Sequence, residues 1–230
     1  MAFAILKLSY NKPGDSSLIG GICGTGFFVD SRAAVTAHHV LNDETFKPNP
    51  GFHHALLWVI SRSGSIRRIQ LEAVTLHPGI DATIITFQTP VSTFQIYESS
   101  LGGVPDGLKV SGIGHVGSAM PSVDAEWQGS RLVIRSASLT AVTKDTNGCV
   151  KRSVTFEINA NDIKMHGVRG FELAFGSQVG MSGGPVVDSS TGKVLGMLSV
   201  GLPPDSNVKT GTFAVSIDEI WKCCPSKGTS

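Results

Sequence analysis

The sequence predicts an all-β protein organised in two halves. Glycine accounts for 27 of its 230 residues and charged residues for only 16%, whereas typical domains hold about 7% glycine and about 25% charged residues. The segments with the clearest pattern are short, rich in β-branched and aromatic residues, and often alternate between apolar and polar positions, which is typical of strands. This length and composition fit one all-β enzyme or two small fused β-barrels, and argue against long surface helices.

Turn-forming residues separate the predicted strands. The strands are predicted at residues 22–29, 55–61, 66–77, 83–87, 108–113, 131–143, 153–158, 185–187, 193–200 and 212–215. Gly or Asn can adopt the positive φ that tight hairpins require. Such residues occur in turn clusters at 63–64, 145–148 and 189–192. The pattern therefore predicts a meander of hairpins.

A single short helix is predicted from a start signal, near the C-terminus. Ser216 and Glu219 form a capping box, in which the hydroxyl and the carboxylate satisfy each other's backbone N–H groups, and the helix continues through Trp221.

Segment 89–106 contains two prolines and no strong strand signal, so we interpret it as the linker between the halves. The predicted domains are residues 1–105 and 106–230.

The charge balance argues against two classes of partner. Nineteen basic and 18 acidic residues leave a net charge of +1, so the chain lacks the strong positive field that holds nucleic acid or an anionic membrane surface. Its apolar runs fall far short of the roughly 20 residues that a membrane-spanning helix needs. The sequence therefore predicts a soluble protein with no nucleic-acid partner and no membrane partner.

The N-terminus and the cysteines indicate a reducing compartment. Residues 1–10 carry Lys7 inside their apolar run, and no small-residue cleavage site follows, so they do not match a secretory leader. The four cysteines are too few and too irregularly spaced for a disulfide framework in a chain of this length. They are Cys23, Cys149, Cys223 and Cys224. We expect reduced thiols and a cytoplasmic protein.

A serine between glycines is the most informative motif. Residues 180–185 are Gly-Met-Ser-Gly-Gly-Pro, which places Ser182 on a tight turn at the start of a strand with backbone N–H groups beside it. Such N–H groups can stabilise a developing oxyanion. A serine hydroxyl is a poor nucleophile without a base, and the base needs a partner that holds its tautomer. A histidine and a carboxylate should therefore accompany Ser182.

His39 and Asp81 are the candidates for these two groups. His39 follows the strand-like segment 35–37, and its neighbour His38 would point to the opposite side of an extended chain. Asp81 precedes the apolar strand 83–87, a position that buries its carboxylate, and an unpaired buried charge is costly. The sequence therefore offers His39 as the candidate base and Asp81 as its candidate partner, and only the register of Thr36-Ala37-x-His selects His39 over His38.

With these residues the chain resembles the trypsin- and chymotrypsin-like serine endopeptidases over almost its whole length. The resemblance rests on Thr-Ala-x-His ending at His39, on Asp81 with the hydrophobic residues after it, and on Gly-x-Ser-Gly-Gly-Pro around Ser182, in the family's order and at its spacing. It implies two six-stranded Greek-key β-barrels, with the active site in the cleft between them. The first barrel would carry His39 and Asp81, and the second would carry Ser182.

The resemblance also implies a role for each group. Ser182 would attack the scissile carbonyl and form an acyl-enzyme, His39 would take and return the proton, and Asp81 would orient the imidazole. The N–H groups of Gly180 and Ser182 would form the oxyanion hole. The substrate would be a protein or peptide, and neither a cofactor nor a metal is expected.

The substrate-binding residues follow from the same family pattern. Ser199 begins the segment that pairs with the substrate backbone as an added strand, and its hydroxyl could also donate to Asp81. The specificity pocket would have its floor near Gly176. No acid occupies that floor, so we expect an uncharged, apolar side chain, and Glu172 is the acid to suspect if arginine is preferred. The predicted set is Gly176, Ser177, Ser199, Val200, Gly201 and Gly211.

Two departures from the secreted members of the family are visible. Met181 stands where those members have an aspartate that pairs with the new N-terminus after zymogen cleavage. Cys23 stands at a half-cystine position, but its partner position is Val40, so that bridge is impossible. These traits resemble HtrA-type and other viral or intracellular members, here without a PDZ domain.

Two alternatives to a constitutive peptidase remain open at this point. A trypsin-like domain could capture peptides by strand addition without turnover, or the site could stay latent until a partner orders loop 176–180. His166, Arg169 and Glu172 are expected in loops before Ser182, where they either shape the pocket or are merely solvated. His53, His54 and His77, together with the pair at 38 and 39, lack the spacing of metal ligands.

Overall fold

The computed structural model describes the larger part of the chain, and within that part the protein is mostly β-structure with a short C-terminal helix, as predicted. The described residues are 2–10, 18–42, 55–60, 66–67, 71–88, 100, 103–116, 122–128, 131–138, 142–160, 163–201 and 211–223. The turn predicted at 63–64 and most of the linker predicted at 89–106 lie outside these residues. The domain boundary at residue 105 therefore stays a prediction.

The strands of the N-terminal half form one antiparallel sheet. They are β1 Ala2–Tyr10, β2 Leu18–Asp30, β3 Ala33–Ala37, β4 Ala55–Ile60, β5 Ile66–Arg67, β6 Leu71–His77 and β7 Ala82–Phe87. Their order across the sheet is β5-β4-β1-β2-β3-β7-β6. In the described residues this sheet has seven strands, where six were expected. The sequence pattern does not predict β1, because residues 2–5 are consecutively buried and form an apolar run instead of an alternation.

The C-terminal half contains a closed six-stranded barrel, as expected. Its region comprises β8 Lys109–Val116, β9 Ser122–Gln128, β10 Arg131–Ser138, β11 Val142–Ala160, β12 Ile163–Leu173, β13 Pro185–Asp188, β14 Val194–Gly201 and β15 Thr212–Ser216. The barrel closes in the order β11-β12-β15-β14-β13-β8, while β9 and β10 pair as a separate hairpin. The strands expected at 185–187, 193–200 and 212–215 match β13, β14 and β15.

Residues 145–148 are not the predicted turn. They lie inside β11, which pairs first with β8 and then with β12 along its 19 residues. Asn147 Oδ1 accepts a hydrogen bond from Ser111 Oγ at 2.5 Å, and a Cβ on Gly148 would stand 2.8 Å from the Phe175 ring. The hydrophilic cluster is thus one exposed stretch of a long strand, with a glycine where an aromatic ring needs space.

Residues 163–173 are not the predicted loops. They form β12, so His166, Arg169 and Glu172 are strand residues. The register with β11 shifts next to Gly167, which has a positive φ of 68°. A bulge of this kind interrupts the alternation of buried and exposed side chains, and alternation was the signal that would have identified the strand.

The predicted C-terminal helix is present as α2, Ile217–Trp221. Ser216 caps it, and its Oγ accepts from the Asp218 N–H at 3.3 Å. Glu219 does not complete the predicted capping box, because its carboxylate accepts from Arg169 and Lys222 instead. No helix in the described residues is long and apolar enough to cross a membrane.

Aromatic packing stiffens the strands of the first sheet. The fully buried rings of Phe3 and Phe28 lie 4.8 Å apart, and those of Phe28 and Phe87 lie 5.6 Å apart, within the range of favourable aromatic contacts. A Cβ on Gly26 would stand 2.6 Å from the Phe3 ring, so this glycine allows the close packing. These rings join β1, β2 and β7.

Candidate active site

Asp81 occupies an unusual backbone position. It ends the 3-10 helix Pro78–Ile80, and its φ of 49° makes it the only non-glycine residue with a positive φ among those described. Asp tolerates this left-handed conformation better than most residues. The sharp change of direction starts β7 immediately afterwards and leaves the Asp81 side chain fully buried.

The His39 ring meets this buried carboxylate. His39 belongs to α1, His38–Asn42. Its Nδ1 lies 2.9 Å from Asp81 Oδ2 and 3.0 Å from Oδ1, and its backbone N–H donates to Oδ1 at 3.1 Å. The neighbouring His38 contributes its backbone N–H to the Asp81 carbonyl at 3.0 Å. Of the two adjacent histidines, it is therefore His39 whose ring the structure places on the carboxylate.

Ser199 adds a third donor to Asp81. Its buried Oγ donates to Asp81 Oδ2, so this bond joins β14 of the barrel to the first sheet. Between Leu198 and Gly201 the register of β14 with β15 shifts, and such bulges re-aim side chains. With donors on both oxygens, the buried charge of Asp81 is satisfied, which removes most of the cost of burying it.

Ser182 lies on a turn that backbone hydrogen bonds define. The Met181 N–H donates to Gln178 O at 3.0 Å, and the Gly184 N–H donates to Met181 O at 2.9 Å. Gly180 and Gly183 have positive φ values of 94° and 83°, which favour glycine. The motif therefore needs glycines for its backbone shape as well as a serine for its hydroxyl.

Glycine also allows this turn to approach the first sheet closely. A Cβ on Gly183 would stand 2.2 Å from Thr25 O and 2.4 Å from Thr36 Oγ1. A Cβ on Gly24 would meet both a Val40 methyl, at 2.4 Å, and Ser182 O, at 3.0 Å. Gly24 thus marks the point where α1, which carries His39, and the Ser182 turn come together.

The turn also presents backbone donors. Met181 O is taken by the Gly184 N–H, and because the peptide group is planar and trans, the Ser182 N–H points the opposite way. Within the described part of the chain, neither the Gly180 N–H nor the Ser182 N–H donates to a protein acceptor. Both are available to a ligand oxygen.

The predicted substrate-binding residues fall into two groups. At 199–201, β14 extends past its partner β13, whose pairing ends with Pro185 opposite Met197, so no described strand pairs with this edge. Val200 and Gly201 belong to the same extension. The Ser177 N–H donates to Thr212 Oγ1 at 2.8 Å, next to the buried Gly211. Gly176 is exposed, with open space where a Cβ would stand.

Glu172 is an acidic residue beside Gly211 in this pocket region. Its Oε1 would lie 3.5 Å from a Cβ on Gly211. Lys151 Nζ donates to Oε1 at 2.8 Å, and Arg152 Nε donates to Oε2 at 2.9 Å. The hydrogen bond from Lys151 lowers the pKa of the Glu172 carboxyl, burial works in the opposite direction, and Arg152 lowers it further. Glu172 is therefore charged at neutral pH, with its charge already paired.

Thr25 lies in the strand predicted at 22–29 and has no predicted role, and the structure gives it contacts to the Ser182 turn. Its N–H donates to Ser182 O at 2.8 Å, and its Oγ1 donates to Gly180 O at 2.7 Å. A Gly-Thr-Gly sequence in a predicted strand was the available signal, because glycines inside a strand mark close backbone approach.

Among the described residues no group of three or more potential metal ligands occurs.

Comparison with known families decides the classification. The family described as a trypsin-like peptidase domain matches residues 24–197, a span that includes His39, Asp81 and Ser182. The chain belongs to this family. The predicted resemblance is thus confirmed, and with it the assignment of this trypsin-like peptidase to the serine endopeptidases.

Solved structures show the same fold at low sequence identity. A protease from M. tuberculosis in its active form is 14% identical with a TM-score of 0.59, and the match covers 95% of this chain and 78% of that one. The MamO protease domain from Magnetospirillum magneticum is 16% identical with a TM-score of 0.58, and 96% of each chain is covered. The HtrA-type protease AlgW with a decapeptide is 13% identical with a TM-score of 0.61, and the match covers 96% of this chain and 62% of that one. No curated protein matches the sequence.

Proposed function

We propose that this trypsin-like peptidase hydrolyses peptide bonds through a triad of Ser182, His39 and Asp81. The observation that carries the proposal is the contact of 2.9 Å between His39 Nδ1 and the buried Asp81 carboxylate. A proton held on Nδ1 leaves the lone pair on Nε2, which is the tautomer a general base for serine requires. The buried carboxylate beside a partly exposed histidine is also the arrangement in which a carboxylate orients the imidazole and stabilises the imidazolium that forms during catalysis.

The reaction would proceed in two covalent steps. In the first, Ser182 Oγ attacks the carbonyl carbon while its proton passes to His39 Nε2; the C–N bond then breaks, and the amine leaves with that proton. In the second, His39 takes a proton from water and the resulting hydroxide attacks the acyl carbon; the bond between that carbon and Ser182 Oγ then breaks, the proton returns from His39 to Oγ, and the carboxylic acid product leaves. The Gly180 and Ser182 N–H groups would stabilise the oxyanion of each tetrahedral intermediate.

The open edge at 199–201 supports recognition of an extended peptide. A substrate strand could pair with these backbone groups in the way that added strands bind sheet edges generally. The AlgW structure, which has a related fold, is that of a protease with a decapeptide. This favours a peptide as the ligand class. Pairing would place the scissile bond between the Ser182 turn and His39.

We propose an uncharged, apolar side chain for the primary pocket. Its predicted floor, Gly176, brings no charge, and the nearby Glu172 is neutralised by Lys151 and Arg152. Peptides with Leu or Phe before the scissile bond should be cleaved faster than the matching Arg peptides. Faster cleavage of the Arg series would contradict this specificity, and the variant Glu172→Gln would then show whether Glu172 causes it.

The test of the proposed function is the serine itself. Purified protein should cleave a defined peptide library, with products identified by mass spectrometry, and Ser182→Ala should lose about a millionfold of the rate, as expected when a triad nucleophile is removed. Ser189→Ala, which alters an exposed serine in the turn after β13, is the matched control and should keep full activity. Equal cleavage by the Ser182→Ala protein would exclude the mechanism.

A second candidate is favoured by the exposed loop before Gly180. Val179 is 94% exposed, an apolar side chain in solvent beside a proposed oxyanion donor. In this candidate the site is latent until a ligand or partner covers the loop 176–180. Sigmoidal dependence of the rate on peptide concentration, changed by Val179→Ser, would support it, and a hyperbolic dependence would support the constitutive enzyme.

A further inference from the structure

We infer that Thr25 is a positioning residue that orients the Gly180 carbonyl and thereby sets the geometry of the proposed oxyanion hole. The inference rests on the proposed function of the Ser182 turn. Thr25 lies on β2 in the first sheet, and two of the groups it binds belong to the turn that carries Ser182. It touches neither the substrate nor the reacting atoms and would act through Gly180.

Every polar group of Thr25 has a partner. Its N–H donates to Ser182 O at 2.8 Å, and its Oγ1 donates to Gly180 O at 2.7 Å. The same Oγ1 accepts from the His115 N–H at 2.9 Å, and the carbonyl accepts from Thr36 Oγ1 at 2.7 Å. Thr25 is fully buried. One side chain and its backbone thus connect the turn, β8 and β3.

The two donors at Oγ1 fix the direction of the hydroxyl proton. Because the His115 N–H already points at the oxygen, the Thr25 hydroxyl has its own hydrogen to give, and Gly180 O receives it. A β-branched side chain holds one χ1 rotamer firmly. In a buried site of low dielectric, linked hydrogen bonds also strengthen one another. The hydrogen-bond chain that runs from the His115 N–H through the Thr25 hydroxyl to Gly180 O therefore has a single donor-to-acceptor direction.

This hydrogen-bond chain determines the orientation of the peptide plane between Gly180 and Met181. Gly180 O is held by Thr25, and the N–H at the other end of the same peptide group, on Met181, is held by Gln178 O at 3.0 Å. Rotating the plane would break both bonds. Gly180 also lies close to β8, because a Cβ at this position would stand 2.4 Å from His115 O. Its φ is 94°. The Gly180 N–H belongs to the preceding peptide group and is joined to this plane through the Gly180 Cα, so holding the plane restricts the directions in which the N–H can point.

The contact also couples the two halves of the protein. His115, Gly180 and Ser182 belong to the C-terminal half, whereas Thr25 belongs to the first sheet. The oxyanion geometry consequently depends on how the two halves are packed together. Loss of the Thr25 hydroxyl should loosen the Gly180 peptide while leaving the His39–Asp81 pair untouched.

The experiment compares three variants in the full-length protein. Thr25→Val removes the hydroxyl with little change of shape, Thr25→Ser keeps it, and Thr83→Val removes a buried hydroxyl that has no hydrogen-bond partner in the described structure. Hydrolysis of p-nitrophenyl acetate should show a kcat about tenfold to a hundredfold lower in Thr25→Val, below the roughly 10²–10³-fold cost of deleting an oxyanion donor outright. KM should stay within about twofold, Thr25→Ser should recover most of kcat, and Thr83→Val should match the parent protein.

A second readout does not depend on catalysis. The ¹³C resonance of the Gly180 carbonyl, detected through the Met181 amide, should move in Thr25→Val and not in Thr25→Ser or Thr83→Val. An unchanged resonance, or a kcat in Thr25→Val within twofold of the parent, would overturn the inference. A protein that hydrolyses nothing through Ser182 would refute the proposed function alone, because the carbonyl resonance still tests the contact.

Discussion

The two halves of the candidate site are built in different ways. In the acid–base half, His39 on α1 and Asp81 just before β7 are joined by side-chain hydrogen bonds, with a further one from Ser199 of the barrel. In the nucleophile half, the turn around Ser182 is held by backbone hydrogen bonds, by the Thr25 hydroxyl, and by glycines such as Gly183 that bring the chain into close contact with β2 and β3. The acid–base half thus depends on polar side-chain atoms, and the nucleophile half depends mainly on backbone groups and on the absence of side-chain atoms.

This difference predicts how each half fails. A change of one polar atom, without a change of shape, should disable the acid–base half and leave the fold intact. An added methyl group, without any change of polarity, should disable the turn and also destabilise the protein, because the methyl would overlap backbone atoms of the first sheet. Variants of each kind separate the two cases.

The largest effect is expected from Asp81→Asn. An amide nitrogen cannot accept the hydrogen bonds that the carboxylate accepts from His39 and Ser199, and it favours the wrong imidazole tautomer. We expect kcat for peptide hydrolysis to fall by about 10⁴-fold, with the circular dichroism spectrum unchanged. A rate within tenfold of the parent would show that Asp81 does not orient the base.

The Gly183→Ala substitution should destabilise the protein strongly. A Cβ at Gly183 would combine a positive φ with a distance of only 2.2 Å to Thr25 O, so the free energy of unfolding should fall by about 3 kcal/mol or more, with loss of activity. Urea unfolding of the parent protein and of Gly183→Ala measures this difference in the free energy of unfolding.

Two other glycines provide matched controls. Gly192 has a positive φ of 70° but open space around its Cβ position, so Gly192→Ala should cost only about 1–2 kcal/mol. Gly103 has open space and no positive φ, so Gly103→Ala should be neutral. Equal effects at Gly183 and Gly192 would mean that the close approach to the first sheet contributes nothing.

A smaller effect is expected from Ser199→Ala. The variant removes one of three donors to the buried Asp81 carboxylate, and a hydrogen bond to a charged group contributes about 1.5–3 kcal/mol. The kcat/KM should fall by about tenfold, less than in Asp81→Asn, because both His39 contacts remain. If the two variants lost the same activity, Ser199 would be as essential to the acid–base half as the histidine contact.

The smallest effect concerns Glu172, which belongs to neither the acid–base half nor the nucleophile half of the candidate site. Its pKa is lowered in the folded protein, so its stabilising contribution is complete above the ordinary pKa of about 4.3 and is lost as the pH falls through the lower folded value. Glu172→Gln should therefore lower the free energy of unfolding by about 1 kcal/mol at pH 7, with the difference vanishing in strong acid. A constant difference at all pH values would exclude the ionic explanation.

The sequence was sufficient to predict that His39 and Asp81 lie together, as their side chains do, while the catalytic roles of these two residues and of Ser182 stay predictions. Each of the three sits in a short motif whose chemistry is visible in the residue types, and the helix start at Ser216 follows from local capping. The strands with clean patterns, such as β13 and β14, were also predictable. In these places local signals and the three-dimensional structure agree.

The remaining features depend on distant parts of the chain. Nothing near Thr25 in sequence indicates that its hydroxyl meets Gly180, which lies 155 residues away. The bulge near Gly167 hid β12 by breaking the alternation of its side chains, and the position of Glu219 against Arg169 replaced half of the predicted capping box. Each of these features is determined by tertiary contacts, which a local pattern does not contain.

The central claim is that Ser182 is a nucleophile activated by His39. The most direct measurement is labelling with a fluorophosphonate probe, followed by mass-spectrometric identification of the modified residue in the parent protein and in His39→Ala. We expect one phosphonyl group on Ser182, formed at a rate that falls by several orders of magnitude in His39→Ala. A label on another residue, or equal labelling rates in the two proteins, would contradict it.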